Sequence, residues 1–352
     1  MRVLLVRPTA SGGLAAHVDQ ELALLESAGR RVAEAPVRIR ERPSPRHDAA
    51  TVTALHRIVR GAGEPVAVHA HGLRAGALAA LAVPRRGGHR LVVTLHNRTV
   101  GGVPARAIGA ALLRLLARRA DTVLAVSPDL AEDARRAGAR DVRHAVIPAP
   151  RRPEEVGEQR SASAGSGARE VTGPGTPVAL VALVIARLAP QKGLHDLLDV
   201  AGALRRQAPV RIRVAGDGPL HEELAARIRA EDLPVELLGR RSDVPALLAA
   251  ADLLVSTAHW EGQPVSLQEA LRAGRAIVAT DAGGTRWVTA DAAHLVPVGD
   301  PAALAAAITA LRDPAARHAA EQASLRRASA LPTAQDLLAQ LDEVLAPAAR
   351  RW

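Results

Sequence analysis

The sequence predicts an α/β protein of two doubly wound domains, each a parallel sheet with helices on both faces. Three observations predict it. The chain has 352 residues, too many for one ordinary hydrophobic core and suited to two domains of roughly 150. Short β-type runs alternate with longer amphipathic stretches, the pattern of βαβ units. Six such runs fall in each half, and a segment without apolar periodicity separates the halves.

In the first half the strands are expected at Val3–Val6, Val32–Pro36, Val66–Ala70, Leu91–Leu95, Thr122–Val126 and Ala145–Ile147. In the second they are expected at Ala179–Ile185, Arg211–Ala215, Val235–Leu238, Leu253–Ser256, Ile277–Thr280 and His294–Val296. Val178 to Ile185 is continuously apolar, as a strand buried on both faces must be. Arg151 to Thr176 holds Ser, Gly, Pro and scattered charge, and reads as a linker. Ala334 to Leu345 sets Leu337, Leu338, Leu341, Val344 and Leu345 on one stripe, a last amphipathic helix. The expected organisation is a Rossmann-like domain at 1–150, a linker at 151–176, a second Rossmann-like domain at 177–332, and a final helix within 333–352.

Composition narrows the class. An apolar fraction of 48% and a charged fraction of 23% are those of a globular protein in water. No apolar run reaches the roughly 20 residues that span a bilayer. Arg7 and Pro8 interrupt the first apolar run, so it is no signal-peptide core. The absence of cysteine excludes disulfides, a thiolate nucleophile and Cys-bound metal, and fits the cytoplasm. There is no Phe or Tyr, one Asn (Asn97), and one Lys (Lys192) against 45 Arg. The scarce residues are those with A/T-rich codons, which points to a GC-rich genome. Residues 1–170 hold 27 Arg against 16 acids, whereas 171–352 hold 19 basic residues against 20 acids. The basic excess in the first half favours an anionic partner there, a phospholipid surface or a phosphorylated acceptor. Without aromatic stacking platforms, nucleic acid is not an expected partner.

In open α/β sheets ligands bind beyond the carboxyl ends of the strands, so four strand ends carry the candidate chemistry. Gly12-Gly13 follows the first strand, where backbone and a helix N-terminus suit a phosphate or form a plain tight turn. His96, in Thr94-Leu95-His96-Asn97, could bond a substrate hydroxyl or serve only the fold, as could His69 and His71. Arg187 and Lys192 stand where strand Ala179–Ile185 gives way to a helix. Two cations there oppose the helix dipole, and a diphosphate beneath them would reverse that sign. Glu261 lies in the loop after Leu253–Ser256. Glu269 lies two turns into the next helix, near its apolar face, where a carboxylate needs donors such as sugar and ribose hydroxyls.

With these motifs in order, the chain resembles retaining glycosyltransferases of family 4 over nearly its full length. Gly12-Gly13-Leu14-Ala15-Ala16-His17-Val18 looks like the family's glycine-rich opening. Arg187-Leu188-Ala189-Pro190-Gln191-Lys192-Gly193 is similar to its diphosphate pair, and Ala215-Gly216-Asp217-Gly218-Pro219 to its next strand end. Glu261 through Glu269 is its Glu-x7-Glu element, followed by Ala276 to Gly284. The resemblance implies a B-type glycosyltransferase fold, two domains facing across a cleft. It implies that Gly12 and Gly13 bind the donor phosphate through backbone, and that His96 sits beside the transferred sugar. Arg187 and Lys192 would neutralise the departing nucleoside diphosphate, Glu261 would hold sugar hydroxyls, and Glu269 the ribose. Arg240, after Val235–Leu238, lies where the family places the base. The final helix would return to the first domain, which would bind the acceptor. Pro264 replaces a Gly of many relatives, and Trp287 replaces a Glu.

The implied activity is hexosyl transfer from a nucleoside-diphosphate sugar to an acceptor hydroxyl with retention, by front-face substitution. There is no Asp-x-Asp, and His and carboxylates are not expected to cluster as metal ligands. No cofactor and no obligatory metal are therefore expected. The helix around Ala107 to Arg119 carries Arg114, Arg118 and Arg119 on a polar side, consistent with an anionic or lipid-linked acceptor and peripheral contact with an anionic membrane. Its Ile108, Leu112, Leu115 and Leu116 are expected to pack in the core. Two other readings share this architecture, a sugar-nucleotide epimerase and a nucleotide-sugar-binding protein without turnover.

Overall fold

A computed structural model describes residues 2–9, 13–40, 44–99, 102–149, 179–205 and 210–347. They form two compact units, Met1–Pro148 together with Pro332–Trp352, and Ala149–Leu331. The segment expected as a linker, 151–176, lies outside the described residues.

The first unit is built on strands β1 (Arg2–Val6), β2 (Val32–Glu34), β3 (Val66–His71), β4 (Arg90–Leu95), β5 (Thr122–Ala125) and β6 (Val142–His144). They form a sheet in the order β2-β1-β3-β4-β5-β6 with every pairing parallel. Parallel neighbours need crossovers, and these are α1 (Gly13–Ser27), α2 (Pro45–Arg60), α3 (Leu73–Ala82), α4 (Val103–Ala117) and α5 (Pro128–Arg136). Chain order reverses between β1 and β3, the point at which doubly wound sheets open a crevice.

The second unit repeats the plan with β7 (Leu180–Ile185), β8 (Val210–Ala215), β9 (Val235–Gly239), β10 (Leu253–Ser256), β11 (Ala276–Thr280) and β12 (His294–Val296). Its sheet runs β12-β11-β10-β7-β8-β9, again parallel, and reverses between β7 and β10. The crossovers and flanking helices are α6 (Leu194–Arg205), α7 (His221–Ala230), α8 (Val244–Ala250), α9 (Val265–Arg272), α10 (Thr285–Thr289), α11 (Pro301–Ala310) and α12 (Pro314–Ala328). Alternate strand residues feed two separate cores, as a period of two dictates. Leu253, Val255, Ala276 and Val278 face one core, and Leu254, Ile277 and Ala279 the other. Helices α11 and α12 start where Asp300 and Asp313 accept the N–H of Ala303 and of Ala315 and Ala316, the donors a helix start leaves open.

The chain closes with α13 (Ala334–Leu345), begun by a Thr333/Asp336 capping box and placed in the first unit. Leu337, Leu341, Val344 and Leu345 are buried, packed on α1, β3 and β4. Gln340 accepts the N–H of Val146 at 2.9 Å and donates its amide to the His144 carbonyl at 2.7 Å.

That contact explains one departure from the sequence reading. The strand expected at Ala145–Ile147 lies instead at Val142–His144. Ala145 and Ile147 are apolar because they are buried, while the backbone beside them is bonded by the Gln340 side chain rather than by a further strand. A second departure concerns α4. Leu116 is buried and Leu112 and Leu115 are half-buried, but Ile108 is 60% exposed and Val103 70%. Only the C-terminal half of α4 reaches the core, so the expectation for Ile108 is overturned. No helix among the described residues is long and apolar enough to cross a membrane.

Candidate active site

In the second unit the candidate residues gather at the sheet reversal. Arg187 is exposed on the loop after β7, and Lys192 ends a single 3-10 turn, Pro190–Lys192, immediately before α6. Glu261 sits on the loop after β10, the neighbouring strand. Lys192 Nζ lies 2.5 Å from Glu261 Oε1, and both side chains are largely buried. The sequence reading gave these two residues separate ligands. The structure makes them direct partners.

Backbone contacts fix this pair. Thr257 Oγ1 donates to the Lys192 carbonyl at 2.9 Å, and His259 N–H to the Gln191 carbonyl at 2.9 Å. Gly193 has φ +60°, and a Cβ on it would stand 1.9 Å from the Thr257 carbonyl oxygen. No other residue lets the 3-10 turn approach β10 so closely. Gly216 has the same role on the adjacent strand, where a Cβ would meet the Ala186 carbonyl oxygen at 1.8 Å. The Glu261 carbonyl accepts the N–H of Gly284 at 2.9 Å. The loops after β7, β8, β10 and β11 are thereby tied together, which holds charged groups in place before a ligand arrives.

Glu269 is partly buried on α9. Its neighbour Gln268, fully buried, accepts the Ala149 N–H at 2.9 Å; sequence reasoning gave Gln268 no role. Pro264 caps α9 at φ −65°, and having no N–H it leaves Val265 as the first amide at that helix end. Arg240 is exposed after β9, the edge strand, two strands from β7 and so roughly 10 Å away across the sheet. Nothing in the described geometry joins it to Lys192 and Glu261.

In the first unit Gly12 lies outside the described residues. Gly13 opens α1, and a Cβ there would meet nothing within 4 Å. Packing among the described residues does not require glycine at that position. His96 follows β4 and is not the lone strand-end residue the sequence offered. His71 Nδ1 lies 3.2 Å from His96 Nε2, and His69, on the same face of β3, lies 2.7 Å from Thr94 Oγ1. His17 and Glu21, one turn apart on α1, face the same spot. The expectation that His and carboxylates do not cluster is therefore corrected, since His17, Glu21 and His71 offer ligand atoms within 4.8 Å of one another. Burial pushes the His17 imidazole down to about 4, against the pull of Glu21. Burial and the neighbouring rings hold His71 and His96 well below the usual histidine range. The sequence carried one hint of this cluster, His17 and Glu21 at i, i+4 in a helix whose buried side is otherwise apolar.

A cavity of about 330 Å³ opens beyond His96, lined among others by Asn97, Arg98, Arg106, Gly109, Arg114 and Arg136. Arg98 faces Asp129 at 3.4 Å, and Arg136 faces Glu132 and Asp133. The basic lining comes from the loop after β4, from α4 and from α5, and it gathers four of the 27 arginines of residues 1–170, two of them paired with carboxylates.

Comparison with known proteins bears on the family and the fold. Residues 1–150 match the glycosyl transferase 4-like domain, and residues 179–313 match glycosyl transferases group 1. TuaC of Bacillus subtilis, a glycosyltransferase named for teichuronic acid biosynthesis, is 30% identical over 70% of this chain and 61% of its own length. A phosphatidyl-myo-inositol mannosyltransferase of Mycobacterium leprae is 34% identical over 35% of this chain and 34% of its own. The chain thus matches less than two thirds of the length of either curated relative. Among solved structures, HepE of Anabaena in complex with UDP superposes with a TM-score of 0.71 at 21% identity, covering 98% of this chain and 100% of that one. A trehalose-phosphate synthase of Burkholderia vietnamiensis gives a TM-score of 0.76 at 13% identity, covering 99% and 97%. Two parallel-sheet units, matched by glycosyltransferase models over residues 1–150 and 179–313 and superposed over 98–99% of the chain on solved structures, place the chain among the glycosyltransferases, with the B-type glycosyltransferase fold.

Proposed function

We propose that this protein is a retaining hexosyltransferase that takes a sugar from a nucleoside-diphosphate donor held by the second unit. The observation that carries the reading is the Arg187, Lys192 and Glu261 group at the β7/β10 reversal, beside the N-terminus of α6. Arg187 and Lys192 bind the diphosphate and neutralise it as it leaves. Glu261, already bonded to Lys192, accepts from sugar hydroxyls, and Glu269 from the ribose. No residue stands out as a carboxylate nucleophile, which supports front-face substitution in which the leaving diphosphate takes the acceptor proton. The cationic pair supplies the charge that a divalent metal would otherwise bring to the diphosphate. Bound UDP in HepE makes a uridine donor the first to try.

The acceptor occupies the first unit, in the basic cavity lined by Arg98, Arg106, Arg114 and Arg136, and it is anionic or lipid-linked. Catalysis takes place at the cytoplasmic face of an anionic membrane, which Val103 and Ile108, exposed on α4, help the protein to meet.

A diphosphate-release screen of UDP-, GDP- and ADP-sugars tests the donor reading, with the product anomer read by NMR. Release with one nucleotide, an unchanged anomeric configuration, and no gain from Mg²⁺ or Mn²⁺ is expected. An inverted product, or activity that needs millimolar Mg²⁺, overturns retention or metal independence respectively. Co-sedimentation with anionic vesicles at low salt tests the membrane contact, and a failure to sediment overturns it.

A further inference from the structure

We propose that His17, Glu21 and His71 form a binding site for one divalent transition-metal ion, of the zinc type, inside the first unit. The site is distinct from the donor group of the second unit and does not depend on the function proposed above. Glu21 and His71 are fully buried, and His17 is 6% exposed. Glu21 Oε2, His71 Nε2 and His17 Nδ1 have no hydrogen-bond partner among the described residues. Two orphaned atoms 3.4 Å apart, Glu21 Oε2 and His71 Nε2, with a third on the His17 ring beside them, are costly, and native interiors rarely leave even one unexplained.

The spacing fits an ion. Glu21 Oε2 stands 3.4 Å from His71 Nε2 and 4.0 Å from His17 Nε2. Ligands roughly 2.0–2.2 Å from a tetrahedral zinc lie about 3.3–3.5 Å apart, so Glu21 and His71 already have that spacing, and the His17 ring, its ligand atom within 4.8 Å of theirs, closes in to complete the set. Two imidazoles and one carboxylate suit zinc or cobalt better than magnesium or calcium, which prefer oxygen.

The surroundings are arranged as a metal's outer partners are. His69 Nδ1 lies 2.7 Å from Glu21 Oε1, and because a carboxylate only accepts, that nitrogen carries the proton. His69 Nε2 then accepts from Thr94 Oγ1 at 2.7 Å, so the Glu21 carboxylate is held with its other oxygen free. His71 Nδ1, on the far side from Glu21, faces His96 Nε2 at 3.2 Å. With its Nε2 on the ion, His71 donates from Nδ1, and His96 is left with its proton on Nδ1. His96 is partly exposed, so the cluster reaches the surface there. The nearby guanidinium of Arg7 is occupied by Asp19 at 2.6 Å and Glu34 at 2.9 Å.

The test is titration of the metal-depleted full chain with Co²⁺ and Zn²⁺, read by the visible bands of tetrahedral Co²⁺, by metal content after gel filtration, and by melting temperature. One ion per chain is expected, with tetrahedral Co²⁺ bands and a higher melting temperature. Glu21→Gln and His71→Gln should abolish the bands, and His69→Ala should weaken uptake roughly 10–100-fold. His195→Ala, which removes an exposed His–Glu pair elsewhere, should leave uptake unchanged. Absence of Co²⁺ bands and of stoichiometric uptake by the unmodified chain overturns the proposal, whether or not the variants fold. Uptake that survives Glu21→Gln and His71→Gln overturns it equally, because the ion then sits elsewhere.

Discussion

Replacing Lys192 by Ala separates a catalytic cation from a structural one. Lys192 Nζ and Glu261 Oε1 are 2.5 Å apart, with the two side chains 22% and 13% exposed. Truncation leaves the Glu261 carboxylate poorly hydrated and without its cation, which costs about 1–3 kcal/mol of stability. It also removes one preorganised donor from the diphosphate, worth about 2.7–4 kcal/mol in the transition state, or roughly 10²–10³-fold in turnover. The two effects come apart in Lys192→Ala/Glu261→Gln. Neutralising Glu261 removes the uncompensated charge, so the melting temperature should recover most of its loss, while diphosphate release stays depressed. The assay is nucleoside-diphosphate release at saturating donor, paired with thermal melts of the wild type, the single and the double variant. Turnover of a folded Lys192→Ala protein within about threefold of wild type would refute the assignment. Recovery of rate together with stability in the double variant would show that Lys192 serves only to balance Glu261.

Gly193→Ala places a Cβ 1.9 Å from the Thr257 carbonyl at φ +60° and should cost about 3 kcal/mol or more. Gly13→Ala, with open space around its Cβ, should leave the melting temperature within a degree or two and raise KM for the donor. Equal melting curves for the two would contradict the glycine argument. Arg106→Glu with Arg114→Glu should lower kcat/KM for an anionic acceptor roughly 10–100-fold and spare donor hydrolysis; an unchanged acceptor dependence would remove the cavity from the reading. Asp141→Asn gives a pH signature. Burial alone would raise the Asp141 carboxyl, but hydrogen bonds from Arg143 and Thr122 outweigh it and hold the carboxyl below its usual range. A depressed carboxyl stabilises the fold above about pH 4 and loses that contribution as pH falls through its folded value. With both side chains about a third exposed, the loss in the variant should be about 0.5–1 kcal/mol at pH 7 and should vanish in acid, as chemical denaturation at pH 7 and pH 3 would show.

The strands were legible because each buried parallel strand must be apolar along its length, and β10 matches the expected bounds residue for residue. Edge strand β6 was not, since Val142-Arg143-His144 has no buried pattern of its own and its Arg143 bonds Asp141 and Glu343. In the site, Arg187, Lys192 and Glu261 were legible as charges at strand ends. Their pairing was not, because the proximity of β7 to β10 is set by sheet order, which spacing along the chain does not encode. The histidine cluster shows the same limit. His17, His71 and His96 come from three segments, and only the reversal between β1 and β3, with β4 alongside, brings them together.

The position of α13 sets a problem for synthesis. The first unit needs residues 334–345 to cover α1, β3 and β4, yet the ribosome makes about 180 residues of the second unit before it reaches them. At roughly 5–20 residues per second, the amino-terminal sheet waits about 10–40 s with an apolar strip uncovered. During that interval it is a client for chaperones. A nascent chain stalled before residue 334 should bind a trigger-type chaperone and be cut by protease in the first unit, whereas the released full chain should resist.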